Sequence, residues 1–182
     1  MYFFALPPDI DADLRSITAV RNRYRYLATQ SGAAIIEVET PEIAGCLTTR
    51  IIIKVPQNLG MTYIGSITLP FRDFSYVLKA QCEERGVTGM RDAVVLNEKM
   101  ASGEITPDIE NGIRRGWMHD PYDSSLDFGF AMNLSEDKQY DARFPNHPLS
   151  RVRRLLDHLQ DTLLISDDLT SKPRFYANSV PG

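Results

Sequence analysis

Phe74-Ser-Tyr-Val-Leu-Lys-Ala-Gln-Cys82 places Phe74, Tyr76, Leu78, Ala80 and Cys82 on one side and Ser75, Lys79 and Gln81 on the other, with Val77 the exception. Side chains of a strand point alternately to opposite faces, so period-two alternation marks a half-buried sheet. Tyr63-Ile-Gly-Ser-Ile-Thr-Leu69 precedes it, and Pro70-Phe71-Arg72-Asp73 between the two runs supplies the proline and aspartate of a tight strand connection. Upstream, Leu47 to Val55 is rich in β-branched residues. Arg50 and Lys54 mark its wet side, and Thr49, Ile51, Ile53 and Val55 its dry one. Ala34 to Glu39 reads as another strand. Strands joined by such short turns form an antiparallel meander most economically.

A sheet with one oily face needs a cover, and both ends of the chain supply one. Leu14, Ile17, Val20, Tyr24 and Leu27 recur at helical spacing to about Gln30, with Asp9, Asp11 and Asp13 as acids for the first turn and Ser31-Gly32 as the stop. Arg15, Arg21, Arg23 and Arg25 form its outer face, either solvated or a docking surface for an acidic partner. Leu149, Val152, Leu155, Leu156, Leu159 and Leu163 give the cleanest helical stripe, while Arg151, Arg153 and Arg154 are expected to face out. Thr88 is the expected cap of a shorter helix from Met90 to Met100, with Ala93, Val94, Asn97 and Met100 inward. The expected fold class is therefore α+β, an antiparallel sheet of four to six strands packed against N-terminal and C-terminal helices as a two-layer or α/β/α sandwich. Residues 1–165 form one domain, with an irregular insert at 104–142 and a flexible tail at 166–182.

The composition narrows the function classes. The net charge of −4 argues against a nucleic-acid binder. No apolar run approaches the roughly 20 residues of a membrane span. The start lacks the basic and apolar regions of a secretory signal, which makes the cytoplasm the default location, with export after removal of a signal as the alternative. Cys46 and Cys82 read as two small buried residues, and neither cofactor nor metal framework is expected.

Three places could carry chemistry. Gly86-Val-Thr-Gly-Met-Arg-Asp92 brackets a helix start with glycines, where Thr88 and Arg91 could receive an anion, although a plain strand-to-helix turn explains both glycines. The 104–142 insert holds nine acids against three bases. Within it, Asp120, Asp123 and Asp127 could hold a cation, but they lack the order of a calcium loop and read as Asx turns and caps. Histidines with nearby acids, His147 with Asp141 and His119 with Asp120, could serve as general bases. No serine or cysteine stands out as their nucleophile.

The element order resembles the Mog1/PsbP-like α/β sandwich, shared by photosystem extrinsic subunits, a nuclear-transport factor and small secretion chaperones. The likeness is one of architecture over residues 11–165. No residue motif matches, and the insert at 104–142 departs from the compact form, so no functional residue transfers. Members of that fold act mostly by binding proteins, which implies an adaptor or chaperone role. The leading expectation is thus a non-catalytic protein-binding module of bacterial type, such as an adaptor, an immunity protein or a secretion chaperone. Its contact residues would be Arg91, Thr88, Trp117, Tyr122, Tyr140 and Arg143, with a protein partner or a homodimer as the assembly. The alternative is a small hydrolase using a His/Asp pair.

Overall fold

The computed structural model describes residues 1–108, 113–126 and 130–175. Its centre is an antiparallel sheet of five strands: β1 (Tyr2–Phe4), β2 (Ala34–Glu39), β5 (Thr49–Pro56), β6 (Met61–Pro70) and β7 (Ser75–Glu83), in spatial order β1-β7-β6-β5-β2. Between β2 and β5 lies a small hairpin, β3 (Glu42–Ile43) with β4 (Cys46–Leu47). The β5–β6 pairing runs from Thr49↔Thr68 to Pro56↔Met61, and the β6–β7 pairing from Thr62↔Glu83 to Pro70↔Ser75. A bulge between Ile35 and Glu37 interrupts the pairing of β2 with β5 and returns Val38 to the same core as Ile35, where plain alternation would have put it on the opposite face.

One long helix covers each face of the sheet. Helix α1 (Ile17–Gln30) lies over Ile35, Val38 and Ile51, and Ile10, Ala12 and Leu14 join this layer. Helix α3 (Pro148–Thr162) lies on the other face, over Ile52, Tyr63, Ile67, Leu78, Ala80 and Cys82. This is an α/β/α sandwich. Two further helices are α2 (Met90–Ala101) and the short α4 (Asp167–Thr170). The insert contains two small hairpins, β8 (Thr106–Asp108) with β9 (Ile113–Arg115) and β10 (Met118–His119) with β11 (Met132–Asn133), followed by 3-10 turns at Leu134–Glu136 and Lys138–Tyr140. No helix among the described residues is long and apolar enough to cross a membrane.

Several details differ from the sequence reading. Arg50 and Lys54 are buried, not wet, because Glu37 and Asp157 answer the first and Glu136 the second. Helix α1 starts at Ile17 on a Ser16 cap, and the Asp9–Asp13 acids belong to its packed lead-in. Thr88 does not cap α2: its N-cap is Gly89, in the left-handed region at φ 70°, with no side-chain bond. The inward residues of α2 are Arg91 and Val95, while Ala93, Asn97 and Met100 are exposed. On α3 Arg153 is buried and Leu155 is 45% exposed, so the stripe narrows to Leu149, Val152 and Leu156, with Leu159 and Leu163 part-buried. The expected loose tail is docked as far as Phe175: Arg72 N–H donates to Pro173 O at 3.0 Å, Arg174 bridges to Phe71, and Leu169 packs on the α3-side core. Cys46 and Cys82 are both buried and free.

Gly65 explains how closely α3 sits. A Cβ there would lie 2.6 Å from Val152 Cγ1 and 2.8 Å from Leu156 Cδ1. Overfilling a packed interface costs ~1–3 kcal/mol, and emptying one at a buried leucine ~2–5 kcal/mol. Chemical denaturation should therefore show Gly65→Val and Leu156→Ala losing stability within those ranges. Leu155→Ala, its neighbour in sequence, should cost less than about 1 kcal/mol.

Candidate functional site

A chain of buried polar groups joins the insert to the sandwich. Glu136 has no solvent exposure. Its Oε2 accepts from Lys54 Nζ at 2.7 Å and from the Asn133 amide at 2.7 Å, and its Oε1 from the Tyr63 hydroxyl at 2.8 Å. Burial and then the nearby Glu136 charge push the Tyr63 phenol strongly upward, so it stays a donor. The Asn133–Glu136 segment is a reciprocal capping box. From there the network runs through Ser135, whose hydroxyl bonds Asp92 and whose carbonyl accepts from Arg91 Nε at 2.6 Å. Arg91, fully buried, also reaches Asp141 at 3.0 Å and Ser150 Oγ at 2.9 Å, and Arg153 closes the loop onto both Asp141 oxygens at 3.1 Å and Glu136 O at 2.8 Å.

Beside this network a cleft of about 490 Å³ opens between the end of β7, the start of α2 and the Arg143–Arg151 segment. At its base Glu84 ties three elements together. Its Oε2 accepts from Met61 N–H at 2.9 Å, its Oε1 from Gly89 N–H at 3.0 Å, and the same Oε1 lies 3.5 Å from His147 Nε2. Burial raises the Glu84 carboxyl, but the His147 hydrogen bond and the two amides outweigh it and hold it below its ordinary value. His147 is itself the N-cap of α3, its Nδ1 accepting from Leu149 N–H at 3.3 Å, and its ring meets Tyr63 edge-on. Both imidazole nitrogens thus face protein groups. Above this base the cleft wall carries Arg85, Val87, Met90, Arg143 and Arg151. Val87 is 75% and Met90 57% exposed.

The His/Asp pairs expected from the sequence do not form. Asp141 is engaged by Arg91, Arg153 and Ser150, while His147 faces Glu84. His119 Nε2 lies 3.8 Å from Asp137. Asp120 instead takes a two-pronged bond from Arg25, at 2.7 and 2.8 Å, and the amides of Tyr122 and Asp123. Burial raises the Asp120 carboxyl, but Arg25 and those amides prevail and hold it low. Asp123 accepts from Ser125 in an Asx turn, and Asp127 lies outside the described residues. No group of three metal-binding side chains occurs among the described residues.

Of the expected contact residues, Arg91 and Arg143 line the cleft, Arg91 from within the core. The Thr88-Gly89 turn is filled by the chain's own Glu84, which takes the place of an anion at the helix start. Trp117 is buried against Val95 and Ile105, with Tyr140 packed alongside. The Tyr122 hydroxyl accepts from Val38 N–H at 2.6 Å and lies 3.3 Å from Glu39. Sequence reasoning missed Lys54, Glu84, Glu136 and Arg153. The Asn133-Leu-Ser-Glu136 pattern was the one local signal that could have revealed Glu136. A larger groove of about 690 Å³ beside β2 is lined by Arg21, Glu37, Glu39, Arg50 and Asp157, whose charges are matched to one another.

No protein-family model, no curated protein and no solved structure matches the chain. The structure has the α/β sandwich that the Mog1/PsbP-like likeness implies, without family or motif support for that particular fold family.

Removing one partner of a buried ion pair leaves an uncompensated charge and costs ~3–5 kcal/mol. Lys54→Met should lose stability in that range by urea denaturation, and adding Glu136→Gln should restore much of it. For pH the sign is fixed by the lowered carboxyls. Their stabilisation is complete above the ordinary values of 3.8 for Asp120 and 4.5 for Glu84, and is lost as pH falls through the lower folded values. Asp120→Asn should lower stability at neutral pH by about 1–3 kcal/mol and flatten the acid limb of the stability curve.

Proposed function

We propose that this chain is a non-catalytic protein-binding module, of adaptor, immunity-protein or secretion-chaperone type, which holds its partner at the cleft above Glu84 and His147. The observation that carries this reading is the meeting, in one cleft, of two well-exposed apolar side chains, Val87 and Met90, with the guanidinium groups of Arg85, Arg143 and Arg151. Exposed apolar groups rimmed by charge are characteristic of protein contact sites. The state of His147 supports the same reading, because an imidazole that caps one helix and clips a carboxylate is held for structure. The resemblance to the Mog1/PsbP-like fold, whose members mostly bind proteins, points the same way by analogy.

Affinity capture from the source cells, with the intact chain as bait, tests this. The native chain should retain one protein in a stable complex, and Val87→Asp/Met90→Asp should lose it without a change in thermal midpoint. Equal capture by both forms, or a hydrolytic activity abolished by His147→Ala, would overturn the assignment.

A further inference from the structure

The two edges of the central sheet are finished differently. At the β2 edge the Tyr122 hydroxyl takes Val38 N–H and Arg21 Nε donates to Val38 O at 3.2 Å, so that edge is capped by side chains at Val38. At the other edge β1 covers only Ser75 to Val77 of β7. From Leu78 to Glu83 β7 pairs with β6 on its inner side, and its outward backbone groups have no backbone partner among the described residues. That open length is roughly 20 Å at about 3.3 Å per residue. It is enough for one added strand.

The side chains around this edge define what would fit. Lys79 and Gln81 stand exposed on one face of it, and Leu78, Ala80 and Cys82 are buried beneath α3 on the other. Arg153, Asp157 and Gln160 occupy the flank of α3 that meets Arg50 and Glu37. At about 100° per residue the opposite flank, toward β7, therefore carries Arg151 and Leu155. Both are exposed, and neither Lys79 nor Arg151 has an acidic partner among the described residues. The edge then runs directly into the cleft, whose lining begins with Glu83, Glu84 and Arg85 and includes Arg151.

Building on the protein-binding reading, we infer that the open edge of β7 receives an extended, acidic segment of the partner protein as an added strand. Main-chain hydrogen bonds to Leu78–Glu83 hold it, as in other strand-addition complexes. Its side chains alternate, apolar ones toward Leu155 and acidic ones toward Lys79, and a further carboxylate meets Arg151 where the strand enters the cleft. A second copy of this chain is the poorer occupant. An exposed edge lysine such as Lys79 is a known guard against self-pairing of strands, and the state in solution separates the two occupants.

The test is to pan the intact chain against a displayed library of random peptides, with the exposed-site double variant Lys79→Glu/Arg151→Glu as counter-target. Selected peptides should alternate Asp or Glu with aliphatic residues and should protect the Leu78–Glu83 amides from hydrogen exchange. They should bind the double variant at least about tenfold more weakly and fail to bind once their backbone amides are methylated. No acidic enrichment, binding without protection of β7, or a dimer in solution with those amides already protected would each overturn the inference. A captured protein lost with Val87→Asp/Met90→Asp but kept by Lys79→Glu/Arg151→Glu would remove strand addition and leave the binding module standing.

Discussion

Glu136 carries its carboxylate where no water reaches it, and the way that charge is answered organises the molecule. Lys54 comes to it from the central strand β5, Tyr63 from β6, and the Asn133 amide from the insert itself. A lone carboxylate in that position would be costly enough to expel the segment bearing it. With three donors in place, the same cost fixes the segment's register, because a shift of the segment would carry the carboxylate away from them. Arg153 then reads the Glu136 carbonyl from α3 while holding Asp141, and Arg91 reads the carbonyls of Ser135 and Asp137 from α2. Two guanidinium groups thus bind the carbonyls of three successive residues, Ser135, Glu136 and Asp137, in a stretch with little regular structure. Replacing such networks by apolar side chains often leaves proteins as stable, so their contribution here is best understood as positional.

The consequence reaches the surface. Because Arg91 and Arg153 fix the polypeptide from Ser135 to Ser150 against α2 and the sheet, the Arg143–Pro148 wall of the cleft stands at a set distance from the Val87–Met90 wall. Arg143 completes the link through Glu98 on α2. A preorganised wall lowers the ordering cost of any partner that docks there. The insert, on this view, is the support for the recognition surface. Its own aromatics serve that support, with Trp117 and Tyr140 filling the space under α2.

The apolar framework was legible in the sequence, whereas the charged interior was not. Alternation in Phe74–Cys82 placed Leu78, Ala80 and Cys82 correctly, and the helical spacing of Leu149, Val152 and Leu156 found the covering helix. Both signals are local and repeat within a few residues. Lys54 and Arg50 also obeyed the local rule for a wet face. What buries them are acids such as Glu136, 82 positions further along the chain, and Asp157. Arg153 failed for the same reason, and so did Arg91, which takes a core position on α2 that a hydrophobic count skips. Of the contact residues read from sequence, Trp117 was misplaced by a different logic. A sole tryptophan in a polar insert suggests a binding group, yet a small satellite core under α2 needed its bulk more.

Glu84 shows why the recognition surface must work through side chains on the rim and through main-chain groups at the sheet edge. A helix start preceded by glycines is the usual place for a phosphate or carboxylate, and α2 has one. Glu84 occupies it from within, with its oxygens shared among Gly89, Met61 and His147. The positive end of the helix is therefore already neutralised, and a free anion would have to displace a carboxylate tethered at its ideal position. The cations without an acidic partner lie further out, Lys79 on the edge and Arg151 at the mouth of the cleft, beside Arg85 and Arg143, which Glu83 and Glu98 already answer. Charges arranged in a line suit an extended acidic chain better than a compact anion. The one stretch of backbone left open beside them, Leu78–Glu83, is the part of the sheet that can hold such a chain in register.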